Sequence, residues 1–153
     1  MTHPTFRTAL GAILMVGALA AHAQQPPLAQ IGRWLTESGN VEVDIAPCGD
    51  ALCGTVTRVL TNRSMSVPGQ EMQAADPRPA LGMRILTGLR TSGEGEVTGE
   101  IYNRETAKTY SVRLTMDGPQ QLLVRPYVGI PLFGKTQLWR RVDAASPGAE
   151  STP

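Results

Sequence analysis

Lys108-Thr109-Tyr110-Ser111-Val112-Arg113-Leu114-Thr115-Met116 is the stretch whose reading decides the fold. Tyr110, Val112, Leu114 and Met116 alternate with Ser111, Arg113 and Thr115. A period of two places the first set on one face of an extended chain and the second on the other, the pattern of a strand half buried against a core. The same period recurs in both directions from this strand. Upstream, residues 97–103 are joined to it by Arg104-Glu105-Thr106-Ala107, a hairpin by spacing. Downstream, Asp117-Gly118-Pro119 turns the chain into residues 121–127, and a further strand is expected over 135–142.

Further upstream, residues 83–89 are apolar enough for a strand, and Ser92-Gly93-Glu94-Gly95 is a turn. Val41, Val43 and Ile45 alternate with Glu42, Asp44 and Ala46, residues 55–60 read as the return strand, and the period-two pattern begins at Ile31. Residues 61–81 break the rhythm with Asn62, Pro68, Gly69, Pro77 and Pro79, and are expected to form a long surface loop with one helical turn. No segment after the N-terminus sustains a 3.6-residue period. About eight short strands at regular spacing predict an all-β meander, closed into a barrel or folded as a sandwich. Closure is favoured because it removes exposed edges.

The N-terminus reads differently. Arg7 is followed by the uncharged apolar run 9–20 and then by Ala21-His22-Ala23 and Gln24-Gln25. A positive start, a short apolar run and a small-x-small site predict a secretory signal peptide over 1–23, cleaved near Ala23. The run is shorter than the roughly 20 apolar residues that span a bilayer, so no membrane span is expected in the mature form. An exposed lead-in over 24–30 follows. At the other end, residues 144–153 are rich in Pro, Gly, Ser and Ala, the composition of a disordered tail. The expected location is periplasmic or secreted.

Composition narrows the chemistry. The formal net charge is +1. A near-neutral chain with scattered arginines argues against nucleic acid as a main partner. Both histidines, His3 and His22, fall in the signal peptide, so His-dependent triads and His-bearing zinc sites are not expected, and no metal or cofactor is assigned. Glu37, Glu42, Asp44, Glu100 and Glu105 are the acidic candidates for a catalytic pair, but alternation puts most of them on the solvent face and no catalytic residue is assigned. Cys48 and Cys53 are the two cysteines. In an oxidising compartment they read as a structural disulfide at the end of a hairpin. A redox pair or half a metal site are the alternatives, though redox motifs normally space their cysteines by two residues. Closing so short a loop contributes roughly 2 kcal/mol in the chain-entropy picture.

Gly32-Arg33-Trp34 on the first strand and Trp139-Arg140-Arg141 on the last resemble the lipocalin and calycin barrels. In those barrels the Trp plugs the closed end, and an Arg from the final strand lies across its indole. Trp139 and Arg141 share a strand face and Arg140 does not, so Arg141 is expected to meet Trp34. A wider resemblance runs through Ala46-Pro47-Cys48-Gly49-Asp50-Ala51-Leu52-Cys53-Gly54 and Tyr127-Val128-Gly129-Ile130-Pro131-Leu132-Phe133-Gly134. These blocks look like the bacterial secreted family named domain of unknown function 2147. The likeness implies a small exported calycin-like barrel over 31–143, with no settled activity. The chain departs from that pattern at Arg104 to Ala107, where the family tends to an acidic, Gly-containing turn.

Two groups of residues bear on function. Tyr102, Tyr110 and Tyr127 either line a cavity or fill the barrel as core and rim residues. Residues 128–134 carry Val128, Ile130, Leu132 and Phe133, and either cap the mouth as part of the core, act as a lid hinged at Gly129 and Gly134, or meet a partner; capping is the plainer expectation. The expected function is non-catalytic binding of a small apolar or amphipathic ligand. The rival is an envelope interaction or structural module with a filled barrel.

Overall fold

The structure is a computed structural model that describes residues 28–142 apart from Glu94. The expected signal peptide, residues 24–27 of the lead-in and the tail at 144–153 lie outside those residues. Eight strands form a closed antiparallel barrel in which each strand pairs with its sequence neighbours and the last returns to the first. They are β1 (Gly32–Leu35), β2 (Val41–Cys48), β3 (Ala51–Val59), β4 (Arg84–Gly93), β5 (Glu96–Asn103), β6 (Lys108–Met116), β7 (Gln121–Tyr127) and β8 (Gln137–Arg141). The sheet closes on itself, which settles the choice between barrel and sandwich.

Alternation builds the core. Val112 and Leu114 of β6 are buried and stand opposite Pro126 and Val124 of β7; Leu122 stands opposite the buried Trp139 of β8. Val43 and Ile45 continue the inner face across β2. Two expectations about connections need correction. The turn at Cys48 to Cys53 shrinks to Gly49-Asp50, because the strands pair through Cys48 with Ala51 and Ala46 with Cys53. The Cys48–Cys53 disulfide therefore bridges the two strands diagonally rather than tying a loop. The helical turn expected within 61–81 is absent from that segment, which holds an isolated bridge between Arg63 and Glu71. A 3-10 turn sits instead at Pro131–Phe133, where Pro131 supplies the fixed first residue.

An up-and-down meander sends its connections alternately to the two ends. The β2–β3, β4–β5 and β6–β7 turns gather at one end, together with the chain entering β1 and leaving β8. That end is shut by Trp34, which has no exposed surface and donates its indole N–H to the Gln30 carbonyl at 2.9 Å. The Arg141 guanidinium lies 4.1 Å from the indole centroid. Its nitrogens donate to the carbonyls of Ala29 at 2.7 Å, Pro119 at 2.8 Å and Ile31 at 3.0 Å. Gly32 makes room for it: a Cβ there would stand 2.5 Å from Arg141 Nη1, and the backbone φ of +132° suits glycine. Arg140 points outward and is exposed. The lead-in is not exposed throughout, since Gln30 is 2% exposed and donates to the Gly95 carbonyl. Packing beneath Trp34 draws it in.

Candidate functional site

The other three hairpin connections and the long β3–β4 segment converge at the opposite end, where the barrel stays hollow. A half-open cavity of about 1040 Å³ lies there. Val41, Val56, Ile85, Ile101 and Tyr110 line its barrel wall along with Trp139, while Thr36, Ser38 and Asn40 bring polar groups to one side of the rim. Trp34 is not among the lining residues. The two tryptophans thus divide the interior, one sealing the closed end and one facing the hollow.

β4 pairs with β3 as far as Thr55, and Val56 exchanges backbone bonds with Met83 and Gly82, so only the last residues of β3 lack a partner on that side. Residues 61–81 form a strap at this end, giving Met65, Met72, Ala74 and Pro79 to the cavity wall. Two clamps hold it. The first is Asn40, 5% exposed, whose side chain accepts from the Arg63 N–H and the Thr61 hydroxyl and donates to the Arg63 carbonyl, each at 2.8 Å. The second joins the strap to the β5–β6 hairpin. Asp76, also 5% exposed, is bound by the Arg78 guanidinium and accepts from the Tyr102 hydroxyl at 2.6 Å. Arg104 donates to the Arg78 carbonyl at 2.8 Å, and the Glu105 carboxylate accepts from the Ser64 hydroxyl and the Met65 N–H.

These contacts set the charges. Hydrogen bonds from Arg78, then Tyr102, hold the Asp76 carboxyl far below the usual carboxylate range, and the same contact with Asp76 raises Arg78. Tyr102 is pushed up, first by its bond to the Asp76 carboxylate and then by burial. For Glu105, burial acts upward, but the bonds from Ser64, Ser66 and the strap amides together outweigh it and keep its carboxyl low. At neutral pH the strap is pinned by two ionised carboxylates.

Tyr102, Tyr110 and Tyr127 all line the cavity. Tyr110 lies on the inner face opposite Ile101; Tyr102 and Tyr127 stand one residue out of that alternation and reach it from the rim. Phe133 touches the rim, but Ile130 does not: it faces a shallow outer hollow with Arg113 and Arg125. The loop carrying them does not cap the core. Val128, Ile130, Leu132 and Phe133 are 72%, 51%, 76% and 78% exposed. Its Gly134 end is held closely. Arg125 donates to the carbonyls of Pro131 and Leu132, and a Cβ on Gly134 would collide with the Pro126 carbonyl, so that glycine marks a tight contact.

Of the five acidic candidates, Glu37, Glu42 and Glu105 hold structural contacts. Glu37 accepts from the Leu138 N–H and extends the short β1–β8 seam. Glu42 is an exception to the solvent-face expectation: it is 5% exposed and paired with Arg58 at 3.3 Å beside a β-bulge. Among the described residues no group of three or more acidic, Cys or His side chains is placed to hold a metal. Asp76, Arg78 and Asn40 were not singled out by the sequence. Asp76-Pro77-Arg78 carries a turn signal, but nothing local connects it to Tyr102.

Comparison with known proteins agrees with this architecture. The family described as an uncharacterized protein conserved in bacteria, DUF2147, matches residues 32–141, and the chain belongs to that family. Among solved structures, the barrel is similar to protein HP1028 from the human pathogen Helicobacter pylori, which is described as belonging to the lipocalin family. The match has a TM-score of 0.56 at 20% identity and covers 74% of this chain and 83% of that one. At that identity the likeness speaks for the fold. No curated protein matches.

Proposed function

We propose that this member of the family is an exported, non-catalytic carrier that binds a small apolar or amphipathic molecule inside the barrel. The observation that carries the reading is the hollow itself. An eight-stranded barrel is just wide enough either to be filled by side chains or to hold one small ligand. Here the closed end is filled and the open end is not. Its volume of about 1040 Å³ matches the upper range of small-molecule sites, and its wall of aliphatic, methionine and aromatic side chains suits apolar matter. Export rests on the N-terminal pattern and fits the Cys48–Cys53 disulfide; no helix among the described residues is long and apolar enough to cross a membrane.

The test is titration of purified, delipidated protein with the neutral dye N-phenyl-1-naphthylamine. Micromolar or tighter binding is expected, with a change in Trp139 emission in a Trp34→Phe background. A dye that neither binds nor perturbs Trp139 sinks the carrier reading. One observation favours a second reading, an interaction module: the exposed apolar side chains of Val128, Leu132 and Phe133 beside the mouth. Dye binding unaffected by Phe133→Asp, together with loss of an envelope partner in the same variant, would support it.

A further inference from the structure

The unbalanced charge of the cavity mouth bears on which amphiphile the carrier accepts. Glu105 is the sole carboxylate among the described lining residues, and both its oxygens are taken by the Ser64 hydroxyl and the Met65 N–H. Asp76, on the strap, is neutralised by Arg78. Glu71 also belongs to the strap but does not reach the cavity surface. Two cations line the same cavity, Arg104 from the β5–β6 turn and Lys135 from the β7–β8 connection, and neither forms an ion pair among the described residues. Arg104 spends its Nε on the Arg78 carbonyl, and beyond that makes a 4.0 Å contact from Nη1 to the Met72 sulfur. The guanidinium fork is therefore largely unspent on strong acceptors.

The barrel wall of the same cavity is lined mainly by Val41, Val56, Ile85, Ile101 and Tyr110, with Trp139 and the Gln137 amide that accepts from its indole N–H. We infer that the ligand is a single-chain anionic amphiphile, its chain directed into the barrel toward Trp139 and its carboxylate-like head at the mouth between Arg104 and Lys135. This rests on the carrier reading and adds the charge of the head and the direction of the chain. A cationic head would meet two cations offset by a single carboxylate, Glu105, whose oxygens are already engaged by Ser64 and Met65. A neutral head would leave both cations unanswered. A carboxylate matches the planar donor fork of Arg104 and gains the point charge of Lys135.

The test uses delipidated full-length mature protein and three probes of equal chain length: dodecanoate, dodecanol and dodecylamine. Dodecanoate is expected to bind about tenfold more tightly than dodecanol at low salt, with dodecylamine weakest. The gap should narrow as ionic strength rises, because a rim interaction is screened. Lys135→Glu, at an exposed position that should not disturb folding, should lower the dodecanoate-to-dodecanol affinity ratio about tenfold, and Arg104→Gln should lower it as well. Dodecanol binding as tightly as dodecanoate, or a ratio unmoved by Lys135→Glu, overturns the inference while leaving the carrier reading intact. Failure of all three probes to bind removes both.

Discussion

The two ends of the barrel contain similar materials used in opposite ways. At the closed end an aromatic ring, an arginine and a glycine are packed until nothing is left over: Trp34 has no exposed surface, and Arg141 places donors on three carbonyls from two segments. At the open end tyrosines, arginines and carboxylates hold one loop to another, and the space they surround stays hollow. The difference follows from where the polar groups are directed. Arg141 lies over the ring and spends its donors on the carbonyls around it, while Trp34 fills the interior. Asp76, Arg78 and Glu105 bond sideways along the rim and keep the interior free. An end built on inward packing should govern stability, and an end built on lateral clamps should govern access.

The largest test of that contrast is Trp34→Ala. It should destabilise the protein by roughly 3–5 kcal/mol in urea unfolding, the loss typical of a fully buried large aromatic. A cost below about 1 kcal/mol would show that the closed end is not the structural anchor. Arg141→Ala should cost about 2 kcal/mol, combining the stacking contact with hydrogen bonds that leave carbonyls unpaired. Arg140→Ala, one residue away but exposed, should stay within about 0.5 kcal/mol. The reverse order would place the wrong arginine over the ring.

The open end is best probed by pH. The folded-state pKa of Asp76 lies below its ordinary value of 3.8, so its contribution is complete above about pH 4 and is lost as pH falls from there toward the depressed folded value. Tyr102 has the opposite sign. Its folded pKa is raised above 10.0, so its contribution is present below about pH 10 and is lost as pH rises through the folded value. Hydrogen exchange and limited proteolysis should therefore find residues 61–81 loosening below about pH 4 and again in strong alkali, before the amides around Trp34 lose protection. Asp76→Asn should loosen the strap at neutral pH and flatten its acid response. Simultaneous loss of both ends would dissolve the distinction between them. The smallest expected effect is that of Phe133→Asp. With 78% of its surface exposed, Phe133 should tolerate the change within about 0.5 kcal/mol, and unfolding of this variant would mean that the loop packs into the core after all.

Much of the closed end was legible because its rules are local. Strand alternation put Trp139 and Arg141 on one face, and the resemblance to lipocalin barrels supplied Trp34 as the partner. Ala107 shows how far local reading went: the hairpin at 104–107 was placed by spacing, and its departure from a Gly-containing turn appears as a left-handed residue, φ 54°, at Ala107. The mouth was less legible. The apolar content of residues 128–134 favours burial. What decided their exposure was Arg125, which reaches from β7 to hold the carbonyls of Pro131 and Leu132 and props the loop outward.

The sequence by itself determined the all-β meander, most of its strands and the main inward-facing residues, because a period of two and the chemistry of Gly, Pro and Asp are properties of a few neighbouring residues. Tertiary structure alone decided that one end would be filled and the other hollow. That outcome depends on partners far apart along the chain, such as Arg141 with Ala29 and Tyr102 with Asp76. No local pattern encodes such pairs. They meet because barrel closure fixes which connections share an end, and the side chains then either enter the interior or bond across the rim.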